Sequence, residues 1–135
     1  MREIAAKINI ALAWVLFAGA NLAIVLIALS VFGAASREVH RMSGAMLGLI
    51  TLLLVISALA ARANRLNVGV SLLVFVLFFF QPFFAYSEFS IPALHALHAV
   101  NGLAIMYLGY MLANGRARAT FEAPEAALTQ ATTGD

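Results

Sequence analysis

Cysteine is absent from this chain of 135 residues, and charged residues make up only 10% of it. Without thiols the chain has no disulfide, no thiolate or iron–sulfur metal site and no cysteine nucleophile. Since the few basic residues form no run, the chain also lacks the basic surface that binds nucleic acid. The hydrophobic fraction of 64% exceeds that of water-soluble domains. The composition therefore excludes a soluble enzyme and indicates a chain embedded in a lipid bilayer.

Four apolar stretches, each long enough to cross a bilayer as a helix, occupy most of the sequence. They cover residues 8–32, 39–61, 68–86 and 92–113. The connections between them are short, which is typical of sequential helices that pack as antiparallel neighbours. The sequence predicts an all-α fold, an antiparallel four-helix membrane bundle formed by residues 1–115. Residues 116–135 are predicted to form a disordered cytoplasmic tail.

Basic residues predict the orientation of this bundle. Arg37 and Arg41 lie on one side, and the other side holds both termini and six basic residues: Arg2, Lys7, Arg62, Arg65, Arg116 and Arg118. Because cytoplasmic loops carry the positive excess, both termini are predicted to be cytoplasmic in a multi-pass protein of the cell (inner) membrane. The first and third loops are then extracytoplasmic.

All three histidines fall at the extracytoplasmic end of the predicted bundle. His40 is followed four residues later by Gly44, and His98 by Gly102, so each glycine lies on the face of its histidine. An imidazole can ligate haem iron, and a missing side chain one turn away leaves room for a flat macrocycle. This pattern predicts a b-type haem between the second and fourth helices for electron transfer, with His40 and His98 as axial ligands and His95 as the substitute.

Residues around the histidines suggest further contacts to such a haem. Arg37 and Arg41 are placed to pair with its propionates. Phenylalanines of the third helix are predicted to supply apolar walls: Phe78, Phe79, Phe80, Phe83 and Phe84. Polar residues inside the spans, Asn21, Gln81 and Asn101, are expected to hydrogen-bond between helices.

Which histidine partners His40 is left open by the sequence. Depth in the membrane matches it with His95, whereas the glycine spacing favours His98. A second possibility is a Zn or Cu ion held by His40, His95 and His98, with Glu88 as a further ligand.

An accessory role without any cofactor is the alternative function. Gly44 and Gly48 form a G-x-x-x-G pattern, which in membrane helices commonly serves close helix packing. Such a chain would pack against copies of itself or into a larger membrane complex. No catalytic residue is assigned, so an electron carrier or accessory subunit is favoured over an enzyme. Since the second and fourth helices both begin with histidine and then glycine, the two hairpins are also interpreted as a duplication, with His40 opposite His98 across a two-fold axis.

Short motifs give this chain two resemblances. The His40 to Gly44 pattern, Gln81 and the segment 97–103 (LHAVNGL) resemble an uncharacterised family of small four-helix prokaryotic membrane proteins, over about residues 8–115. Locally, residues 40–44 (HRMSG) are similar to the His-Arg-x-Ser/Thr-Gly signature of the succinate dehydrogenase cytochrome b anchor, and residues 98–102 resemble its His-x-x-x-Gly haem-ligand segment.

The anchor resemblance implies a quinone and haem propionates near Arg41 and Ser43, and haem ligation by His98. The chain departs from that family in two respects. It has four predicted spans where the anchor has three, and residues 103–105 read LAI where the family continues Ile-Arg-His.

Overall fold

The computed structural model describes residues 1–86 and 92–115. It contains four α-helices: α1 (Arg2–Val31), α2 (Arg37–Ala60), α3 (Arg65–Tyr86) and α4 (Pro92–Ala113). Within these two ranges no β-strand occurs. The predicted all-α fold with four helices is confirmed, whereas the predicted tail at 116–135 lies outside the described residues.

All four helices are long and apolar enough to cross a membrane. The 30 residues of α1 amount to about 45 Å of helix, more than the roughly 30 Å hydrocarbon layer of a bilayer. Its first turns carry charge, including an ion pair of 2.7 Å between Lys7 and Glu3. The helix begins at Arg2, ahead of the apolar stretch that starts at Ile8. Its charged N-terminal turns therefore lie outside that stretch.

The helices end in defined backbone motifs. After α1, Gly33 adopts a left-handed conformation (φ +72°), and the amides of the turn bond back to carbonyls of the last helical turn. Arg62 takes the same role after α2 with φ +51°, a conformation that costs a non-glycine residue free energy. The next helix starts on a side-chain cap, since the Asn64 Oδ1 accepts a 2.8 Å hydrogen bond from the Asn67 amide.

The helices are arranged as a ring in which α1 packs on α2, α2 on α3, α3 on α4 and α4 on α1. In the described ranges, the backbones of the diagonal helices are not neighbours. The middle of the bundle is an apolar core whose fully buried members come from all four helices: Leu16, Leu54, Val74 and Leu112. Most buried polar residues lie towards the two ends of the bundle, and Thr51, in the middle of α2, bonds to the Gly48 carbonyl of its own helix.

The contacts between α1 and α2 show which parts of the chain share an end. Near the start of α1, the Asn9 Nδ2 donates to the Leu54 carbonyl and to the Ser57 Oγ, both at 3.0 Å, in the last turns of α2. Near the end of α1, the Ala23 carbonyl lies 2.9 Å from the Nδ1 of His40 in the first turn of α2. The first set lies at the asparagine end of the bundle and the second at the histidine end.

Candidate functional site

His40 is held by a backbone carbonyl of the neighbouring helix. Its Nδ1 lies 2.9 Å from the Ala23 oxygen of α1, and its ring is half-buried. Because a carbonyl oxygen only accepts hydrogen bonds, this contact favours the tautomer with the proton on Nδ1. The Nε2 lone pair then remains for a ligand, and the carbonyl fixes the direction of the ring.

His98 is held in the same way by the other pair of helices. Its Nδ1 lies 3.2 Å from the Gln81 carbonyl of α3, and its ring is also half-buried. Gln81 stands 17 residues before His98, as Ala23 stands 17 residues before His40. The two imidazoles therefore have matching hydrogen-bond partners, which favour the same tautomer in both.

The rings of His40 and His98 face each other across the diagonal of the bundle. Their centroids are 6.3 Å apart and their planes are inclined by 73°. A metal ion bonded to one nitrogen of each ring would be compatible with this separation, because each metal–nitrogen bond is about 2 Å long.

The second hairpin repeats the first at a spacing of 58 residues. Identical residue types recur at this spacing in eight pairs. Three are alanines, and the other five are Asn9/Asn67, Phe17/Phe75, His40/His98, Gly44/Gly102 and Leu54/Leu112. The two carbonyls that hold the histidines are also 58 residues apart. Leu54 and Leu112 are both fully buried, and Asn9 and Asn67 are buried to 99% or more. The interpretation of two related hairpins is thus supported in burial and hydrogen bonding as well as in sequence.

The glycines beside the histidines differ in their surroundings. Among the described residues, a Cβ on Gly44 would meet nothing within 4 Å, which leaves open space on the His40 face one turn below the ring. On Gly102 the same atom would lie 3.4 Å from the Gln81 Nε2, an ordinary contact. Gly48 is different, because a Cβ there would approach the Phe78 ring to 3.1 Å. Only the second glycine of the G-x-x-x-G pattern therefore packs closely against another helix of this chain.

Ser43, Arg41 and His95 lie in three different settings around the pair. The Ser43 Oγ donates a 2.8 Å hydrogen bond to the His40 carbonyl. Arg41 lies on the surface and pairs with Glu38 at 2.8 Å. His95 is exposed, and the ring that contacts His40 is that of His98.

No group of three or more histidine, aspartate or glutamate side chains that could hold a metal ion occurs in residues 1–86 and 92–115. The structure brings together two of the three predicted ligands. Glu88, the further ligand of the predicted Zn or Cu site, lies outside the described residues. A site that uses it stays a prediction.

Several phenylalanines predicted as walls lie on the outside of the bundle. Phe79 is 71% exposed and Phe83 is 57% exposed. Phe78 and Phe79 instead line an apolar groove of about 280 Å³ between α2 and α3, together with Gly48, Thr51, Phe75 and Pro82. The wall prediction is wrong for Phe79 and Phe83, since an apolar side chain in a membrane helix is equally compatible with lipid and with the interior.

Polar residues inside the helices divide into two groups. The Asn101 Nδ2 donates to the Leu77 carbonyl at 2.8 Å and to the Gln81 Oε1 at 2.9 Å, which confirms the expected bonding between α3 and α4. Asn21 departs from the expectation, because its Nδ2 bonds the Phe17 carbonyl of its own helix at 2.7 Å. Sequence reasoning also missed the carbonyls of Ala23 and Gln81, for which a side-chain pattern offers no signal.

Residues 23–89 match the model of a family of unknown function, DUF6220. The matched segment runs from late in α1 through α3 and includes His40 and Gln81, but it ends before His98. This match supports the resemblance to an uncharacterised family. The chain matches no curated protein and no solved structure, so nothing in the comparisons supports the similarity to the succinate dehydrogenase anchor.

Proposed function

We propose that this chain is a small integral membrane protein that binds a b-type haem between α2 and α4 and passes electrons within the membrane. The observation that carries the proposal is the His40/His98 pair. Each ring is fixed through Nδ1 to a carbonyl of the adjacent helix, and the ring centroids are 6.3 Å apart. His40 and His98 would hold the haem iron through their Nε2 atoms, because each Nδ1 is already directed at a carbonyl.

The residues around the pair fit a flat macrocycle. Gly44 leaves open space one turn from His40, and Gly102 takes the equivalent place after His98. Ser43 and Arg41 lie beside His40, where they would contact the edge and the propionates of the group. When bound, haem supplies a one-electron redox couple at the iron.

The chain itself contributes orientation and an apolar setting. The carbonyls of Ala23 and Gln81 keep the rings in place, and Asn101 ties α3 to α4 one turn from His98. The buried leucines and valine of the core exclude water from the space below the rings. A low dielectric around a haem is one of the means by which a protein sets its reduction potential.

Haem is favoured over a Zn or Cu ion because the structure brings two imidazoles together, with their ring centroids 6.3 Å apart. A structural zinc ion takes four ligands in a tetrahedron, and two histidines supply only half of them. A haem iron needs only two axial ligands, since the macrocycle provides the other four.

The proposal includes an antiparallel bundle with both termini in the cytoplasm of the cell membrane. The pairing of Asn9 with the end of α2, and of Ala23 with its start, supports the antiparallel course. The excess of arginine and lysine on the side of the termini supports the orientation. The haem would then lie near the extracytoplasmic face.

Single substitutions of the three histidines test the proposal. We expect His40→Ala and His98→Ala each to abolish the low-spin haem absorbance of the purified protein, because either change removes one axial ligand. His95→Ala is the matched control, since this histidine is exposed on the same helix as His98. Full haem content in both His40→Ala and His98→Ala, with the chain still inserted, would contradict the proposal.

A further inference from the structure

The asparagine end of the bundle holds buried polar atoms that have no hydrogen-bond partner. In the part of the chain that the structure describes, these atoms are the Asn9 Oδ1, the Asn67 Nδ2 and Oδ1, and the Ser71 Oγ. Asn9 is 1% exposed, and Asn67 and Ser71 are 0% exposed. Buried polar groups in folded proteins are nearly always paired, and where no protein group is available the partner is an ordered ligand or water.

These atoms lie at one end of the bundle and on its inner side. Asn9 bonds to the last turns of α2, and Asn67 lies in the first turn of α3, which follows α2 after a connection of four residues. Ser71 is four residues further on, on the same face of α3 as Asn67. The helices α1 and α3 lie on a diagonal of the bundle. Since Asn9 on α1 and Asn67 on α3 are both buried, their side chains face the interior between α2 and α4.

The types of the unpaired atoms restrict what can satisfy them. Two amide oxygens accept hydrogen bonds, one amide nitrogen donates, and the hydroxyl of Ser71 does both. A cation would satisfy only the oxygens, and an anion only the donors. Water both donates and accepts, and a buried water takes two to four polar partners, which these atoms can supply.

We infer that the duplicated hairpins enclose a second site at the asparagine end, where Asn9, Asn67 and Ser71 bind ordered water that bridges α1 and α3. Asn9 and Asn67 occupy equivalent places in the two hairpins, as His40 and His98 do at the other end. The apolar core separates the two sites. This site does not depend on haem and would persist in a protein without a cofactor.

A double-mutant cycle with Asn9→Leu and Asn67→Leu tests the shared water by thermal unfolding in detergent. Each single change is expected to lower the midpoint by about 5 °C, because it leaves the remaining partner buried without its bridge. The double variant is expected to lose clearly less than the two single losses combined. A rise in the midpoint for Asn67→Leu, or full additivity of the pair, would overturn the inference.

Asn101→Leu is the matched control for this cycle, because Asn101 is buried at the histidine end. Combined with Asn67→Leu, it should give additive shifts, since the two residues share no partner.

An experimental structure of the unsubstituted protein at about 2 Å resolution tests the same site without relying on variants. The expected result is a density peak within about 3 Å of both the Asn9 Oδ1 and an Asn67 side-chain atom. A direct hydrogen bond between the two asparagines, or a pocket with no density, would rule out the bridging water.

Discussion

The two hairpins hold their histidines alike but support them differently. In both, an imidazole bonds to a carbonyl 17 residues earlier and a glycine follows one turn later. Where the first hairpin has Ser43, the second has Asn101, which ties α3 to α4 through two hydrogen bonds. Ser43 bonds only within its own helix, to the His40 carbonyl. The carbonyl, the histidine and the glycine recur in both hairpins, and these are the groups that the proposed haem would need. Asn101 has no equivalent in the first hairpin, and it stabilises the packing of α3 on α4. The two histidines should thus contribute equally to ligand binding, whereas the two halves should differ in the space beside the histidine and in stability.

The largest effect is expected when the open space beside His40 is filled. Gly44→Leu should insert readily, because nothing lies within 4 Å of its Cβ position, yet it should remove most of the haem by occupying the place of the macrocycle. The haem-to-protein ratio measures this effect. Gly69→Leu is the control, since this glycine of α3 is equally open but lies at the asparagine end. Equal haem content in the two variants would count against a macrocycle on the Gly44 face.

Removal of the Asn101 side chain should lower the free energy of unfolding more than removal of the Ser43 side chain does. Asn101→Ala loses the hydrogen bonds to Leu77 and Gln81 and is expected to cost about 1 kcal/mol in the free energy of unfolding, a typical value for such bonds in membrane proteins. Ser43→Ala loses only a bond inside its own helix and should cost less than about 0.5 kcal/mol. Unfolding in mixed detergent with increasing denaturing surfactant measures both. Equal losses would mean that the difference in support between the hairpins has no energetic consequence.

The smallest effect is expected at the turn between the hairpins. Arg62 has φ +51°, whereas Gly33 occupies the equivalent left-handed position after α1. Arg62→Gly should therefore stabilise the protein by about 0.5 kcal/mol by relieving backbone strain. The midpoint of thermal unfolding measures this shift. A fall in the midpoint for Arg62→Gly would show that the arginine side chain contributes more than the strain costs.

Much of the fold could be predicted from the sequence, because length and apolar composition dictate membrane helices. The fourth apolar stretch, predicted at residues 92–113, has the same bounds as α4. The choice between His95 and His98 could not be made, since the two are three residues apart and helix tilt decides which ring reaches α2. In the structure it is the ring of His98 that does so.

Other features of the histidine and asparagine ends could not be predicted from the sequence, for physical reasons. A backbone carbonyl that receives a histidine belongs to any residue type, so Ala23 gives no signal in the sequence. Asn67 lies just before the apolar stretch 68–86 that predicts α3. It is buried because the helix begins earlier than this stretch, at Arg65. The equal spacing of Asn9 and Asn67 from their histidines was the available clue.

The central claim is that His40 and His98 hold one haem, and the most direct measurement is a reduced-minus-oxidised spectrum of the purified, unsubstituted chain with a pyridine haemochrome determination. The protein should be produced with ample haem. The account predicts a low-spin b-type spectrum and close to one haem per chain. A colourless protein that is folded and inserted would contradict it, and its co-purification with a larger membrane complex would favour an accessory subunit instead.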